Sequence, residues 1–169
     1  YWLQSYAAPT KSAAETKKAF QRFLGPQVKA EHVYSDNSKE IKKALEEMQL
    51  SHDTSTPHRS ETNGIAERAV RRVKEGTACT LSQSGMSDAW WVFAMDAYCF
   101  MRNIIDRLVS GETAYFKRFQ MDFPGQVIPF GAQISYYPIT EQDKARLHGL
   151  GERTLPGIFV GYDQQAGGG

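Results

Sequence analysis

Two long amphipathic stretches, one directly after the other, constrain the fold of this chain more than any other feature. Residues 63–83 and 87–108 both carry apolar side chains at helical spacing, and Ser84-Gly85 separates them. The predicted packing stripe of the first is Ala66, Val70, Val73, Thr77 and Leu81, and that of the second is Trp90, Ala94, Ala97, Tyr98, Met101 and Ile105. The chain therefore contains two consecutive long helices that pack against a core.

The residues before these helices alternate between strand-like and helix-like patterns. We predict strands at 2–8, 28–34 and 50–54, and helices at 12–24 and 39–48. Ser12 and Glu15 form a capping-box pattern at the start of the first helix. Residues 54–64 are polar, contain Pro57 and show no apolar periodicity, which is typical of an exposed loop. This alternation predicts an α/β domain over residues 1–110.

The pattern changes after Gly111, where Pro, Gly and aromatic residues alternate with short β-prone runs. These runs are 127–128, 133–137 and 157–162. They predict a separate small β-rich module over residues 111–169. The chain begins at Tyr1 without an initiator Met and ends in three glycines, so we expect it to be a fragment.

Charge and cysteine content exclude few classes of protein, and they favour an intracellular setting. The 20 Lys and Arg residues nearly balance the 19 Asp and Glu residues, so any nucleic-acid surface would have to be a local basic stripe. Cys79 and Cys99 lack metal-ligand spacing and are expected to be buried thiols. The longest apolar run, 89–101, contains Asp96 and is too short to span a bilayer, so no membrane partner is expected.

Two acidic residues stand at positions typical of a metal site. Asp36 comes directly after a predicted strand, where functional groups collect in α/β sheets. Glu67 lies in the first turn of the first long helix, after the polar loop. Carboxylate oxygens are the ligands that Mg²⁺ and Mn²⁺ prefer. The alternative is that Asp36 or Asn37 caps the next helix, and that Glu67 merely favours a helix N-terminus.

Basic residues surround Glu67. Arg71 and Lys74 lie four and seven residues after it and share its helix face, while Arg68 and Arg72 flank that face. From Arg59 to Glu75 there are five basic and three acidic residues. Such a face suits a phosphodiester held beside a metal, but a solvated face with i,i+4 ion pairs explains it equally well. His58, in the preceding loop, is a further candidate for contact with DNA.

Five segments, in order, resemble the integrases of copia-type retrotransposons and retroviruses. The clearest is Thr56-Pro-His-Arg-Ser-Glu-Thr-Asn-Gly-Ile-Ala-Glu67-Arg, which is similar to the segment around the last catalytic Glu of the family. Tyr34-Ser-Asp36-Asn37 resembles the segment of the second catalytic Asp. The other three are Pro9-Thr-Lys-Ser with Glu15-Thr, Trp90-Trp91 through Arg102-Asn103, and Ile158-Phe-Val-Gly-Tyr162 after Pro129-Phe-Gly131.

The resemblance implies a truncated RNase H-like fold, a mixed sheet with flanking helices, followed by a small SH3-like β module. It implies an enzyme that processes and joins DNA 3′ ends with Mg²⁺ or Mn²⁺, held by Asp36, Glu67 and a further Asp. Arg59, Asn63, Arg68, Arg71 and Lys74 would contact DNA. It also implies that the full protein is a homo-oligomer that acts on element ends and target DNA. The implied location is the nucleus, after a stage in a cytoplasmic particle.

The chain departs from the family in three ways. The first catalytic Asp of the family would precede Tyr1, and no acidic residue precedes Glu15. The interval from Asp36 to Glu67 is a few residues shorter than usual. The family's Asp-Asn-Gly-x-Glu-Phe is here Asp36-Asn-Ser-Lys-Glu-Ile. We therefore expect this chain to be inactive alone, and two alternatives stay open: a catalytically dead nucleic-acid-binding module, and a purely structural domain.

Overall fold

The computed structural model describes residues 1–26, 28–54 and 64–168. Six α-helices occur in these residues: α1 (Ala13–Leu24), α2 (Lys39–Glu47), α3 (Gly64–Ser84), α4 (Trp91–Ile105), α5 (Ala114–Phe119) and α6 (Glu141–Lys144). The strands are β1 (Val33–Ser35), β2 (His52–Thr54), β3 (Gln133–Tyr136) and β4 (Leu155–Ile158). A short 3₁₀ helix, Asp88–Trp90, leads into α4.

The predicted helices form because local signals and apolar periodicity agree. Ser12 caps α1, where its hydroxyl accepts a hydrogen bond from the Glu15 backbone N–H at 3.2 Å. Helices α2 and α3 begin and end within about two residues of the predicted bounds. The second long helix is shorter than predicted, because Asp106 adopts an extended conformation and ends α4 at Ile105.

The two sheets are small, and each contains two strands. β1 and β2 are parallel, with Val33 opposite His52 and Ser35 opposite Thr54. They begin later than predicted, at Val33 rather than Val28 and at His52 rather than Leu50. β3 and β4 are antiparallel. Residues 127–128 form no strand, and the helices α5 and α6 in this region were not predicted.

The predicted N-terminal strand at 2–8 is wrong, since residues 1–8 have no regular secondary structure. The buried side chain of Asn103 in α4 takes the place of a neighbouring strand. Its Oδ1 accepts from the Leu3 backbone N–H at 2.9 Å, and its Nδ2 donates to the Leu3 carbonyl at 2.6 Å. The peptide groups of Leu3 are thereby satisfied by a side chain rather than by a strand ladder.

Helix α4 is buried on two sides. Ala94 and Ala97 pack with Phe130, and Phe100 and Ile104 pack with Tyr115. Apolar side chains from the N-terminal segment and from the second half of the chain surround these two clusters: Leu81, Met86 and Val160 on the first, and Trp2, Met101, Phe119, Phe123 and Tyr162 on the second. The core of the described residues is thus centred on α4.

Several predicted core positions are exposed, because the side chains that the two long helices bury differ from the predicted stripes. Trp90 and Ile105 are 40% and 50% exposed, while Cys99 and Phe100 are buried instead. On α3 only Thr77 is buried, and Val70 is 54% exposed. Cys79 is exposed, contrary to expectation. The prediction for Cys99 is confirmed, and burial raises the pKa of its thiol to about 11.

Asp96 in α4 provides a test of this packing. It is half-buried, its Oδ2 accepts from Gln164 Nε2 at 3.1 Å, and burial raises the pKa of its carboxyl. A carboxyl whose pKa is raised in the folded state stabilises the fold at pH values below its ordinary pKa, and that contribution is lost as pH rises through the folded-state pKa.

We expect Asp96→Asn to be more stable than wild type at neutral pH, because the neutral amide does not lose this contribution when pH rises. Urea unfolding between pH 3 and 7 measures it. Asp122→Asn, an exposed control, should not show this relative gain.

Candidate active site

Asp36 lies directly after β1 and is exposed. Its Oδ1 accepts a hydrogen bond from the Ser38 backbone N–H at 3.3 Å. Ser38 is the N-cap residue of α2, but its own side chain does not cap the helix. The Ser38 hydroxyl instead donates to Glu40 at 2.7 Å, which lowers the pKa of that carboxyl. One oxygen of Asp36 therefore supports the start of α2, and the other makes no hydrogen bond with the part of the chain that the structure describes.

Glu67 lies in the first turn of α3, where the helix dipole favours an acidic side chain. It is exposed, as are Arg71 and Lys74 on the same face. Neither carboxylate is buried, so neither requires a charge partner in the protein. Both are therefore available to a cation or a substrate from solvent.

One groove brings the two acids together. It runs between the end of β1 and the face of α3, and it is lined by Tyr34, Ser35, Asp36, Ile41, Ala66, Glu67, Val70, Arg71, Lys74 and Glu75. The two acids come from different elements, separated in sequence by α2 and β2. The fold thus brings four of the residues singled out in the sequence to one groove: two carboxylates with two basic groups alongside.

Asp36 also lines a second groove, on the side of α1. Its lining includes Lys11, Lys18 and Arg22, together with Tyr6 and Trp91. Lys18 is paired with Glu15 at 2.8 Å. Asp36 therefore stands where two grooves meet, and basic side chains line each of them.

The other predicted site residues have different positions. Arg68 is exposed but does not line the groove that contains Glu67. Arg72 lines a different groove, beside Arg102 and Asp106. Arg59 and Asn63, as well as His58, lie outside the described residues, so their DNA contacts stay predictions.

The donor set fits a hard divalent cation. Such ions take carboxylate oxygens and keep several water ligands, which exposed acids in an open groove allow. Within residues 1–26, 28–54 and 64–168, no group of three or more His, Cys, Asp or Glu residues is placed to hold a metal ion. Asp36 and Glu67 therefore stay predicted ligands, and the structure places both of them on one groove.

The sequence did not predict a role for His52, whose side chain contacts Ser35, the residue before Asp36. Its Nε2 lies 2.9 Å from the hydroxyl of Ser35, and that hydroxyl donates to the Asp36 carbonyl at 2.8 Å. The sequence pattern that could have indicated it is the alternation of side chains along β2, which places His52 and Thr54 on one face. The strand register needed to pair that face with Ser35 is not visible in the sequence.

Comparison with known proteins supports an α/β fold like that of integrase catalytic cores. No protein-family model matches the chain. It is 26% identical over 176 residues to the retrovirus-related Pol polyprotein from transposon RE1 of Arabidopsis thaliana, a match that covers 91% of this chain and 11% of the relative. It is 29% identical over 103 residues to the corresponding polyprotein from transposon RE2, covering 56% and 7%. The chain thus spans about a tenth of the length of these relatives.

Two solved structures share the fold. The catalytic core domain of BIV integrase matches with a TM-score of 0.50 and 18% identity, over 68% of this chain and 76% of that one. A simian T-cell lymphotropic virus intasome, in complex with PP2A regulatory subunit B56 gamma, matches with a TM-score of 0.52 and 16% identity, over 94% and 58%.

These neighbours define an RNase H-like α/β fold of the integrase catalytic-core type. The homologues of the chain are retrotransposon Pol polyproteins, which confirms its resemblance to a copia-type integrase core. The SH3-like assignment of residues 111–169 is not confirmed.

Proposed function

We propose that this chain contributes to DNA integration as part of a retrotransposon integrase that processes and joins DNA 3′ ends. The observation that supports this most is the single groove shared by Asp36, Glu67, Arg71 and Lys74. Metal-dependent phosphodiester chemistry needs carboxylates for the cation and positive charge for the phosphates. Kinship with retrotransposon Pol polyproteins provides the biological setting.

Asp36 and Glu67 would hold Mg²⁺ or Mn²⁺, which would activate a water or a 3′-hydroxyl and stabilise the leaving oxygen when bound. Arg71 and Lys74, one turn and two turns along the same face of α3, hold and orient the phosphates of the DNA end. The groove on the α1 side, which is lined by Lys11, Lys18 and Arg22 and also by Glu15 and Glu40, would accept a second DNA strand. Because Asp36 borders both grooves, the two substrates meet at this carboxylate.

The complete site would contain a third carboxylate, as in the family. This chain supplies two, so we propose that the 169-residue polypeptide alone binds DNA but does not join strands. We further propose that the full protein acts as a homo-oligomer on element ends and target DNA in the nucleus. Residues 111–169 would form its SH3-like module, with residues 1–110 forming the catalytic core.

A catalytically dead DNA-binding module is the second candidate. The short interval between Asp36 and Glu67 favours it, since a displacement of about an ångström at a reacting centre costs about a hundredfold in rate. Mn²⁺ binding separates the two proposals. An active integrase lineage keeps cation affinity at Asp36 and Glu67, whereas a dead module binds DNA without it.

The basic groups are tested by salt-dependent DNA binding. Each phosphate contact contributes about 0.9 to the slope of log affinity against log salt concentration. We expect Arg71→Ala and Lys74→Ala each to lower that slope by about 1, measured by fluorescence anisotropy on a duplex with element-end sequence.

Lys144→Ala is the matched control for this measurement. Lys144 is an exposed base in α6 that pairs with Glu141 at 2.7 Å and does not line the groove. Its slope should equal that of wild type. Equal losses in all three variants would mean that DNA contacts the protein without using this groove, contrary to the proposal. DNA binding that is insensitive to salt would also contradict it.

A further inference from the structure

The register of the parallel pair β1 and β2 places one histidine close to the end of β1. Val33 is opposite His52 and Ser35 is opposite Thr54, so Ser35 and His52 point to the same face of the sheet. Tyr34 and Asp53 belong to the opposite face. Ser35 and His52 are half-buried, whereas Tyr34 and Asp53 are exposed.

A hydrogen-bonded chain connects this histidine to Asp36. The Ser35 hydroxyl donates its one hydrogen to the Asp36 carbonyl at 2.8 Å. With that hydrogen on the carbonyl, the contact of 2.9 Å between Ser35 Oγ and His52 Nε2 is a hydrogen bond in the tautomer that carries its hydrogen on Nε2, which we assign here. The order is imidazole N–H to hydroxyl, then hydroxyl to the carbonyl of Asp36.

Asp36 thereby accepts hydrogen bonds at both its backbone carbonyl and its side-chain carboxylate. Its carbonyl accepts from Ser35, and its carboxylate Oδ1 accepts from the Ser38 N–H at 3.3 Å. β1 and β2 are only three residues long, so few ladder hydrogen bonds restrain the point where the strand ends. A side-chain network at that point compensates for the short ladder and limits rotation of the Asp36 peptide.

We propose that His52 is a positioning residue for the cation site, acting through Ser35 to orient the Asp36 carboxylate. This inference rests on the proposed function, because it assigns His52 a task at the same groove. Outer partners of this kind orient the groups that ligate the metal, and their loss costs about ten- to a hundredfold in metal affinity. His52 does not touch the cation or the DNA in this proposal.

The test is a titration of the 169-residue chain with Mn²⁺, followed by electron paramagnetic resonance. We expect His52→Ala and Ser35→Ala each to weaken Mn²⁺ affinity by about tenfold or more. His52→Gln places an amide N–H near the position of Nε2–H, so its affinity should lie within about threefold of wild type. Free energies of unfolding for each variant are measured in urea alongside.

His32→Ala is the matched control. His32 lies beside the opposite face of the same pair, with its Nε2 3.3 Å from Asp53 and its Nδ1 3.3 Å from Ser51. It has no part in the chain that ends on Asp36, so its removal should leave Mn²⁺ affinity unchanged. A loss equal to that of His52→Ala would show a general weakening of the sheet and overturn the proposal.

Two further outcomes separate the inference from the proposed function. If Asp36→Asn and Glu67→Gln abolish Mn²⁺ binding while His52→Ala leaves it unchanged, positioning by His52 is wrong and the cation site stands. If wild type binds no Mn²⁺, or if the carboxylate variants bind it normally, the proposed cation site is wrong. The positioning role of His52 is then wrong as well. Failure of His52→Gln to restore affinity in a fully stable variant also counts against the positioning role.

Discussion

Replacing Asn103 by Asp is expected to destabilise the fold by about 3 kcal/mol at neutral pH. Asn103 is 2% exposed, and its amide both donates to and accepts from the backbone of Leu3. A carboxylate of the same shape cannot donate to the Leu3 carbonyl, and its charge would be buried beside that oxygen. Urea unfolding of Asn103→Asp at pH 7 measures the loss.

Two controls make this result specific. Asn37→Asp makes the same chemical change at an exposed position and should cost less than about 0.5 kcal/mol. Lowering the pH to about 3 protonates the introduced carboxyl, restores a donor and should recover much of the lost stability. If Asn103→Asp is as stable as wild type at pH 7, the contact between α4 and the N-terminal segment is not as the structure describes.

The second large effect is expected at the cation site. We predict that Asp36→Asn combined with Glu67→Gln weakens Mn²⁺ affinity by about a hundredfold or more, since loss of outer partners alone costs about ten- to a hundredfold. Stability should change by less than about 1 kcal/mol, because both residues are exposed and the introduced asparagine side chain retains an oxygen for the Ser38 N–H. Calorimetric titration with Mn²⁺ and urea unfolding measure the two quantities.

Glu75→Gln is the control for the double variant. Glu75 lines the same groove two turns beyond Glu67, and the proposed site does not use it as a ligand. Its affinity for Mn²⁺ should stay within about threefold of wild type, as expected for a more distant surface charge. A loss at Glu75 as large as that of the double variant would mean that the cation is held diffusely by the acidity of the groove.

Features that depend on neighbouring residues were predictable from the sequence. The Ser12 cap, the starts of α2 and α3, and the placement of Asp36 after a strand all follow from local patterns. The position of Glu67 and Arg71 on one face of α3 follows from helical periodicity. The shared groove of Asp36 and Glu67 is consistent with these local positions, whereas their role as metal ligands stays a prediction.

Features that depend on distant residues were not predictable. The segment at Leu3 has a strand-like pattern, but an amide one hundred residues away, at Asn103, satisfies its peptide groups. A single helical stripe could not reveal that α4 is buried on two sides, because the partners Phe130 and Tyr115 lie outside the helix and their placement depends on the tertiary fold. The partner of His52 depends on strand register, which a pattern of three residues does not specify.

We propose that Asp36 and Glu67 bind one divalent cation in the groove between β1 and α3. Anomalous diffraction from crystals soaked in Mn²⁺ tests it most directly. We predict a single strong peak in this groove, with an oxygen from each of the two carboxylates about 2.1 Å away. A peak that contacts neither residue, or no peak in the groove under saturating Mn²⁺, would contradict it.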